Sequence, residues 1–348
     1  RLSGQAGNDE GKGISSGKGR VISGARLRDV LAAMKVAPDV IAPETLDFIH
    51  RWDGGVEIYF IRNKTDKTIQ SEVSFWVSQR RPEFWDPSSG DISFAAVYRA
   101  EGERVIVPLT LDPFGAIFVV FREPAESNPI KAVSPGAEIL MQARTPVLRA
   151  EKNGTYRVER ANGATVSVEV SGLPQPIELN RGWEVMFEGL AAPGKLRFDE
   201  LTSWTAHPDQ AVRFFSGTAR YRKVFELGGE WRTGADRKIL LDLGRLWTIA
   251  EAYLNGKKLG IVWAPPFRVD CSEAVKTGQN ELIIEVTNTW YNRLAGDARR
   301  PPAERLTRTN VTTSGGKPWA ELEPLESGLL GPVRLLAIAQ KEVKGGPR

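Results

Sequence analysis

Only one cysteine and two histidines occur among the 348 residues, and that scarcity removes several kinds of chemistry at once. A lone thiol, Cys271, cannot close an intrachain disulfide. It sits in the apolar-alternating run PFRVDCSEAV, where it reads as a small buried residue rather than a reactive one. His50 and His207 lie far apart in the chain, so a His-rich metal site has no support and a Ser-His-Asp triad has few candidates. His50, in DFIHRWDGG, opens a strand where it can make a polar contact to a preceding domain, and His207, in SWTAHPDQ, lies in a turn before Pro208. There is no GxxxxGK[ST], no GxGxxG after a strand and no CxxC, which leaves phosphate and nucleotide chemistry without a motif. No apolar run approaches the roughly 20 residues needed to span a bilayer. Fixed-period repeats and low-complexity tracts are also missing.

Charge of one sign is lacking too. The 47 basic and 43 acidic side chains are mixed along the chain and leave a formal net charge of +4, so the pI near 9.1 is no nucleic-acid footprint. What is present is glycine and proline, 34 and 22 residues, with a composition that fits turn-rich globular domains. At about 100 to 200 residues per domain, the length predicts two or three of them.

The pattern predicts an all-β protein of two β-sandwich domains, the second a jelly roll, preceded by a short truncated α/β piece. Residues 1–45 carry Val21 and Ile22, then Ser23 as a candidate N-cap and a helix over Gly24 to Met34, with Leu27, Val30, Leu31 and Met34 on one face. A piece this small cannot bury itself, and the chain opens on Arg1. It therefore reads as the end of an upstream α/β domain, and the whole as part of a longer protein. Residues 46–125 change to period two, with VEIYFIRN, SEVSFWV, ISFAAVY, RVIVPLTL and AIFVVF separated by DGG, NKTD, DPSSGD and EGE turns. Residues 126–175 read as a linker followed by a β-meander, VLRAE, TYRVER and TVSVEVSG, with hairpin signals at Asn153-Gly154 and Asn162-Gly163. The meander could also belong to the next sandwich. Residues 176–340 hold about eight strands, a jelly-roll complement, and residues 341–348 read as a solvated tail.

Glycoside hydrolysis generally needs two carboxylates about 5 to 10 Å apart. Pairs such as Glu321 with Glu323, or Glu323 with Glu326, fall in a non-periodic stretch that reads as a solvated loop. Tryptophans say more. Seven of the ten, among them Trp204, Trp247, Trp263, Trp290 and Trp319, fall in the last sandwich. An indole beside Asn, Asp or Arg can stack on the apolar C–H face of a pyranose while the polar groups take its hydroxyls. TNTWYNRLAGD supplies that mixture in Trp290, Tyr291, Asn292, Arg293 and Asp297, at the point where an alternating strand gives way to loop. Core or interdomain packing is the competing reading for Trp290, and core the favoured one for Trp247 and Trp263.

The runs FFSGTARYRKVFEL, ILLDLG, AEAYLNGKKLGIVWAPPFRVD, KTGQNELIIEVTN and TWYNRL, closed by SGLLGPVRLL, resemble the sugar-binding, galactose-binding-like jelly roll of family 2 glycosidases. DFIHRWDGGVEIYFIRN, the PEFWDPSSGDI turn and TWYNRLAGD look like the C-terminal half of α-L-rhamnosidases of glycoside hydrolase family 106. GKGRVISGARLRDVLAAMKVAPDV is similar to the end of a flavodoxin-like or barrel-associated α/β unit. The resemblance implies an upstream barrel whose two glutamates work as general acid and base in an inverting hydrolysis; this sequence contains no counterpart of that barrel, so no residue here inherits a catalytic role. It also implies calcium in the barrel of some members and no cofactor in this segment, a rhamnose-containing plant polysaccharide as substrate, and export to the periplasm or cell exterior. In family 2 enzymes a jelly-roll loop reaches the active site with Asn or Asp. The matching region is Asn292 to Ser327, with Asp297 the first candidate and Glu323 and Glu326 nearer the closing Ser-Gly. Three readings follow: a non-catalytic, carbohydrate-contacting part of a glycosidase, a stand-alone carbohydrate-binding or structural sandwich, and a scaffold that only rigidifies its enzyme.

Overall fold

A computed structural model describes residues 13–16 and 18–344. The first of these form a small hairpin, Gly13–Ser16 with Gly19–Ile22. A single short helix follows, Leu27–Ala33, and buries none of its residues. It starts later than the sequence suggests. The residue before it is Arg26, without a side-chain cap, so Ser23 is not the cap, and Leu27 and Met34 of the apolar face stand exposed.

The next layer is a sandwich of two antiparallel sheets. One has the order Val40–Ile41, Ile69–Phe75, Arg104–Leu111, Arg99–Glu101; the other runs Leu46–Asp53, Val56–Asn63, Ala116–Pro124, Arg80–Trp85, Ile92–Phe94. Tyr59, Ile61, Val73, Phe75, Val107, Val119 and Phe121 fill the space between them. Val40 belongs to that core, so residues 40–45, expected with the α/β piece, are part of the sandwich. The DGG turn behaves as its sequence demands: Asp53 faces Val56, and Gly54 and Gly55 both take positive φ, the two-residue primed turn that a side chain would resist.

A second core holds the rest. Its six-stranded sheet has the order Lys195–Glu200, Arg181–Glu188, Thr218–Leu227, Gly278–Thr287, Ile249–Leu254, Lys257–Val262. Along Gly278–Thr287, Leu282, Ile284 and Val286 point inward, while Glu281 and Glu285 point outward to Arg222 and Arg220, the alternation of a half-buried strand. The facing sheet runs Ala137–Gln142, Thr145–Ala150, Arg334–Glu342, Arg237–Asp242, Arg268–Asp270.

The stretch read as linker and meander is thus not a separate unit. Thr145–Ala150 pairs with Arg334–Glu342, while Gly154–Arg160 lies in another sheet with Ile130–Val133 and Thr165–Val170. Asn153-Gly154 is therefore a crossing between sheets and not a hairpin; the Asn153 side chain is bonded in both directions to the backbone of Leu173. Asn162-Gly163 does close a hairpin, between Glu159 and Thr165. Lys341 and Glu342, expected in a tail, sit in the closing strand, and residues 345–348 lie outside the described residues. Cys271 is buried as its setting suggested, and burial pushes its thiol up to about 12.

Candidate functional site

The strand Gly278–Thr287 delivers the chain to one end of the second sandwich. Asn288 turns it there: its Nδ2 donates to Phe215 O (2.9 Å) and Ser327 Oγ (3.1 Å), and its Oδ1 accepts from Gly217 N (3.0 Å). The segment expected as loop folds instead into a helix, Tyr291–Ala298, with Trp290 at its N-cap. It seats closely on the sandwich, since a Cβ on Gly296 would lie 2.6 Å from Phe214 Cβ.

This helix divides the five expected sugar contacts. Asn292, Arg293 and Asp297 are buried. Asn292 Nδ2 donates to Leu325 O (2.8 Å) and Ser327 Oγ (3.0 Å), and its Oδ1 accepts from Leu325 N (2.7 Å). That clamp ties the long segment after the helix back onto it. Arg293 takes a bond from its own backbone N–H to Ser216 Oγ (2.9 Å) and reaches Leu190 O with Nη2 (3.1 Å). Desolvation pulls its guanidinium below the ordinary arginine value, with Asp297 opposing. Asp297 Oδ2 accepts from Thr307 Oγ1 (2.6 Å) and Leu306 N (3.2 Å). These three side chains hold protein to protein; their polar atoms do not face solvent.

Trp290 is 61% exposed, and Tyr291 packs edge-on against Trp319 at 5.4 Å. Two further tryptophans, expected in the core, stand at the surface: Trp247 is 46% and Trp263 63% exposed. Strand parity explains both. In Arg245–Trp247 only Leu246 points inward. Beyond Lys257–Val262 the inward residue is Val262, so Ile261 and Trp263 face out. The period-two rule applied residue by residue to RLW and GIVW contains that signal.

Two of the acidic candidates, Glu323 and Glu326, are engaged with cations. Glu326 accepts from Arg245 at 2.6 Å, and Glu323 lies 3.7 Å from Arg299 and 4.0 Å from Arg213. Both histidines are tied down locally. His50 stacks on Tyr59 between Asp39 and Glu57, each 2.7 Å from a ring nitrogen. His207 stacks on Phe198 and accepts from Asp209 N (3.1 Å). Among the described residues no group of three or more His, Cys, Asp or Glu could hold a metal ion, and no helix is long and apolar enough to cross a membrane.

Comparison with known proteins places this architecture. Residues 5–100 match the α-L-rhamnosidase family, glycoside hydrolase family 106. The solved rhamnosidase from Novosphingobium sp. PP1Y is 32% identical, with a TM-score of 0.66, over 93% of this chain and 27% of its own. A putative β-glucuronidase from Formosa agariphila is 39% identical over 210 residues, which are 55% of this chain and 18% of that protein. The chain is rhamnosidase-related and, more broadly, related to glycoside hydrolases. It spans only 18% to 27% of the length of these two relatives.

Proposed function

We propose that this chain is the non-catalytic supporting part of an α-L-rhamnosidase-like glycoside hydrolase, bracing a catalytic domain that supplies the reacting carboxylates. The observation that carries this reading is the outer face of the five-stranded sheet. Cross-strand register sets Ile49 opposite Phe60, Phe60 opposite Phe118, Phe118 opposite Trp85 and Trp85 opposite Ile92, one apolar row across all five strands. The inner face of the same sheet is already filled by Tyr59, Ile61, Val119 and Phe121. Strands apolar on both sides belong in sheets covered on both sides, yet Ile49 is 69% exposed. A cavity of about 500 Å³ opens beside it, lined by Leu46, Asp47, Phe48, Ile49, Phe60 and Arg62. An apolar surface of this kind marks an interaction face, and the exposed apolar side of the helix Leu27–Ala33 lies just ahead of it in the chain.

The partner in this reading is an α/β catalytic domain, with a rhamnose-containing oligosaccharide as substrate. A stand-alone binding protein would have no use for a second apolar face. The test is hydrolysis of an aryl α-L-rhamnoside by the purified chain, alone and mixed with, or fused to, a catalytic domain of the family. No turnover alone and turnover in the combination, reduced by Phe60→Arg, is the expected result. Turnover by the chain alone, abolished by removing one of its own carboxylates, would overturn it.

A further inference from the structure

We propose that Asn162 is a modification site at the joint between the two sandwiches: its side chain cyclises onto Gly163 and reopens as aspartate or isoaspartate. The inference is independent of the supporting role proposed above.

Asn-Gly is the dipeptide most open to this reaction, because glycine places no side chain in the way of its own backbone nitrogen. The sequence holds three such pairs, Asn153-Gly154, Asn162-Gly163 and Asn255-Gly256, and the fold treats them differently. The Asn153 carboxamide is tied at both ends, Nδ2 donating to Leu173 O (3.1 Å) and Oδ1 accepting from Leu173 N (2.9 Å). The Tyr156 ring also closes over Gly154, 3.8 Å from where a Cβ would stand. Asn255 is held by three bonds: Nδ2 donates to Ala274 O (2.8 Å) and Asn280 Oδ1 (2.8 Å), and Oδ1 accepts from Glu281 N (3.0 Å). Asn162 is exposed at the tip of its hairpin. Its Nδ2 has no acceptor among the described residues, and its Oδ1 accepts from Ala164 N (2.9 Å), a local bond that moves with the turn.

In the reaction Gly163 N gives up its proton to water or hydroxide and attacks Cγ of Asn162. A C–N bond forms, the bond from Cγ to Nδ2 breaks, and Nδ2 takes up a proton and leaves as ammonia. Water then opens one of the two imide C–N bonds, giving aspartate or isoaspartate. The sum is amide plus water to acid plus ammonia. Negative charge collects on Oδ1 during the attack, where Ala164 N–H already donates, and a donor so placed lowers the barrier. Gly163 N is tied to Arg160 O (3.0 Å), at an exposed tip where water competes for that bond. A Cβ on Gly163 would meet nothing within 4 Å, so solvent base reaches the nitrogen.

The tip is also a fastening. Asn162 N donates to Asn128 Oδ1 (3.0 Å), Ala161 N to Pro129 O (2.9 Å) and Arg160 Nη1 to Asn128 O (3.2 Å). Asn128 and Pro129 lie in the segment that leads from Ala116–Pro124 of the first sandwich to Ile130–Val133, whose Ile130 belongs to the second core. Isoaspartate adds a methylene to the backbone at this point, which shifts all three donors and loosens the joint.

The experiment holds the folded chain at pH 8 and 37 °C and follows its tryptic peptides by mass spectrometry over time. The three pairs fall on separate peptides, Asn153–Arg157, Ala161–Arg181 and Leu246–Lys257, so each controls for the others. Conversion of amide to acid at Asn162 is expected to run about tenfold faster than at Asn153 or Asn255, a barrier difference of about 1.4 kcal/mol. In urea the three rates should converge. Asn162→Gln, which would have to close a larger ring, should keep the fold by circular dichroism and lose the conversion at this position. Limited cleavage after the exposed Glu126 should quicken in aged wild type and not in aged Asn162→Gln. Comparable rates at the three pairs in the folded chain, or the same ranking in urea, overturn the assignment. Unchanged cleavage after Glu126 in the converted chain overturns its effect on the joint.

Discussion

Replacing Asn292 by alanine separates two readings of the TWYNRLAGD segment. The side chain is buried and makes three hydrogen bonds, two to the backbone of Leu325 and one to Ser327 Oγ. A net intramolecular hydrogen bond is worth about 0.5 to 1.5 kcal/mol. Ser327 Oγ keeps Asn288 as a partner at 3.1 Å and its own bond to Leu325 O at 3.0 Å. Counting the two Leu325 bonds in full and the third in part, the loss is about 2 to 3 kcal/mol. At about 2 to 4 °C per kcal/mol for a domain of 150 to 250 residues, the thermal midpoint of the second sandwich should fall by about 8 °C. Differential scanning calorimetry reads this directly, and chymotryptic cleavage near Leu325 should accelerate as the segment loosens. A change under about 0.5 kcal/mol, the range of an ordinary surface substitution, together with lost sugar affinity, would refute the argument and make Asn292 a ligand contact.

Gly296→Ala should destabilise by about 1 to 3 kcal/mol, the cost of overpacking, although the same change in an exposed helix stabilises. The added methyl would meet Phe214 Cβ at 2.6 Å, and urea unfolding gives the sign. Tyr221→Phe strands the buried Trp204 Nε1 and Leu329 N, at about 1 to 3 kcal/mol for each donor left unpaired, measured by the same unfolding curves. Cys271 should resist iodoacetamide at pH 8 until denaturant is added, as mass spectrometry of the alkylated chain would show. The unfolded thiol releases its proton near its ordinary value of 9.0 while the folded one holds it to about 12. The folded state therefore binds more protons across that window, and stability falls as pH rises from about 9 towards 12.

Much of the fold was legible because strands announce themselves by parity. NELIIEVTN alternates as its burial does, DGG closes the turn its two positive φ values require, and VEIYFIRN and AIFVVF are apolar on consecutive residues because both of their faces are. The candidate site was legible only in part. TWYNRLAGD was recognisable as a place where aromatic and polar residues gather, but not as a helix that turns Asn292, Arg293 and Asp297 inward, since its eight residues carry no capping side chain. Trp247 and Trp263 looked like core because tryptophan in a sandwich usually is; their parity says otherwise.

By itself the sequence determined the local terms: all-β character, turn positions, a buried thiol, and a chain poor in the residues of metal and nucleophilic chemistry. These depend on neighbours within a few positions, where backbone sterics and apolar periodicity act. Tertiary structure alone decided that the Thr145–Ala150 strand joins the closing strand Arg334–Glu342, nearly 200 positions away by subtraction of 145 from 342. It also decided that the outer row of the five-stranded sheet, Ile49 to Ile92, stays exposed at both ends among the described residues. Pairings at such separation are chosen by which surfaces fit once every strand is present, and no local pattern encodes that choice.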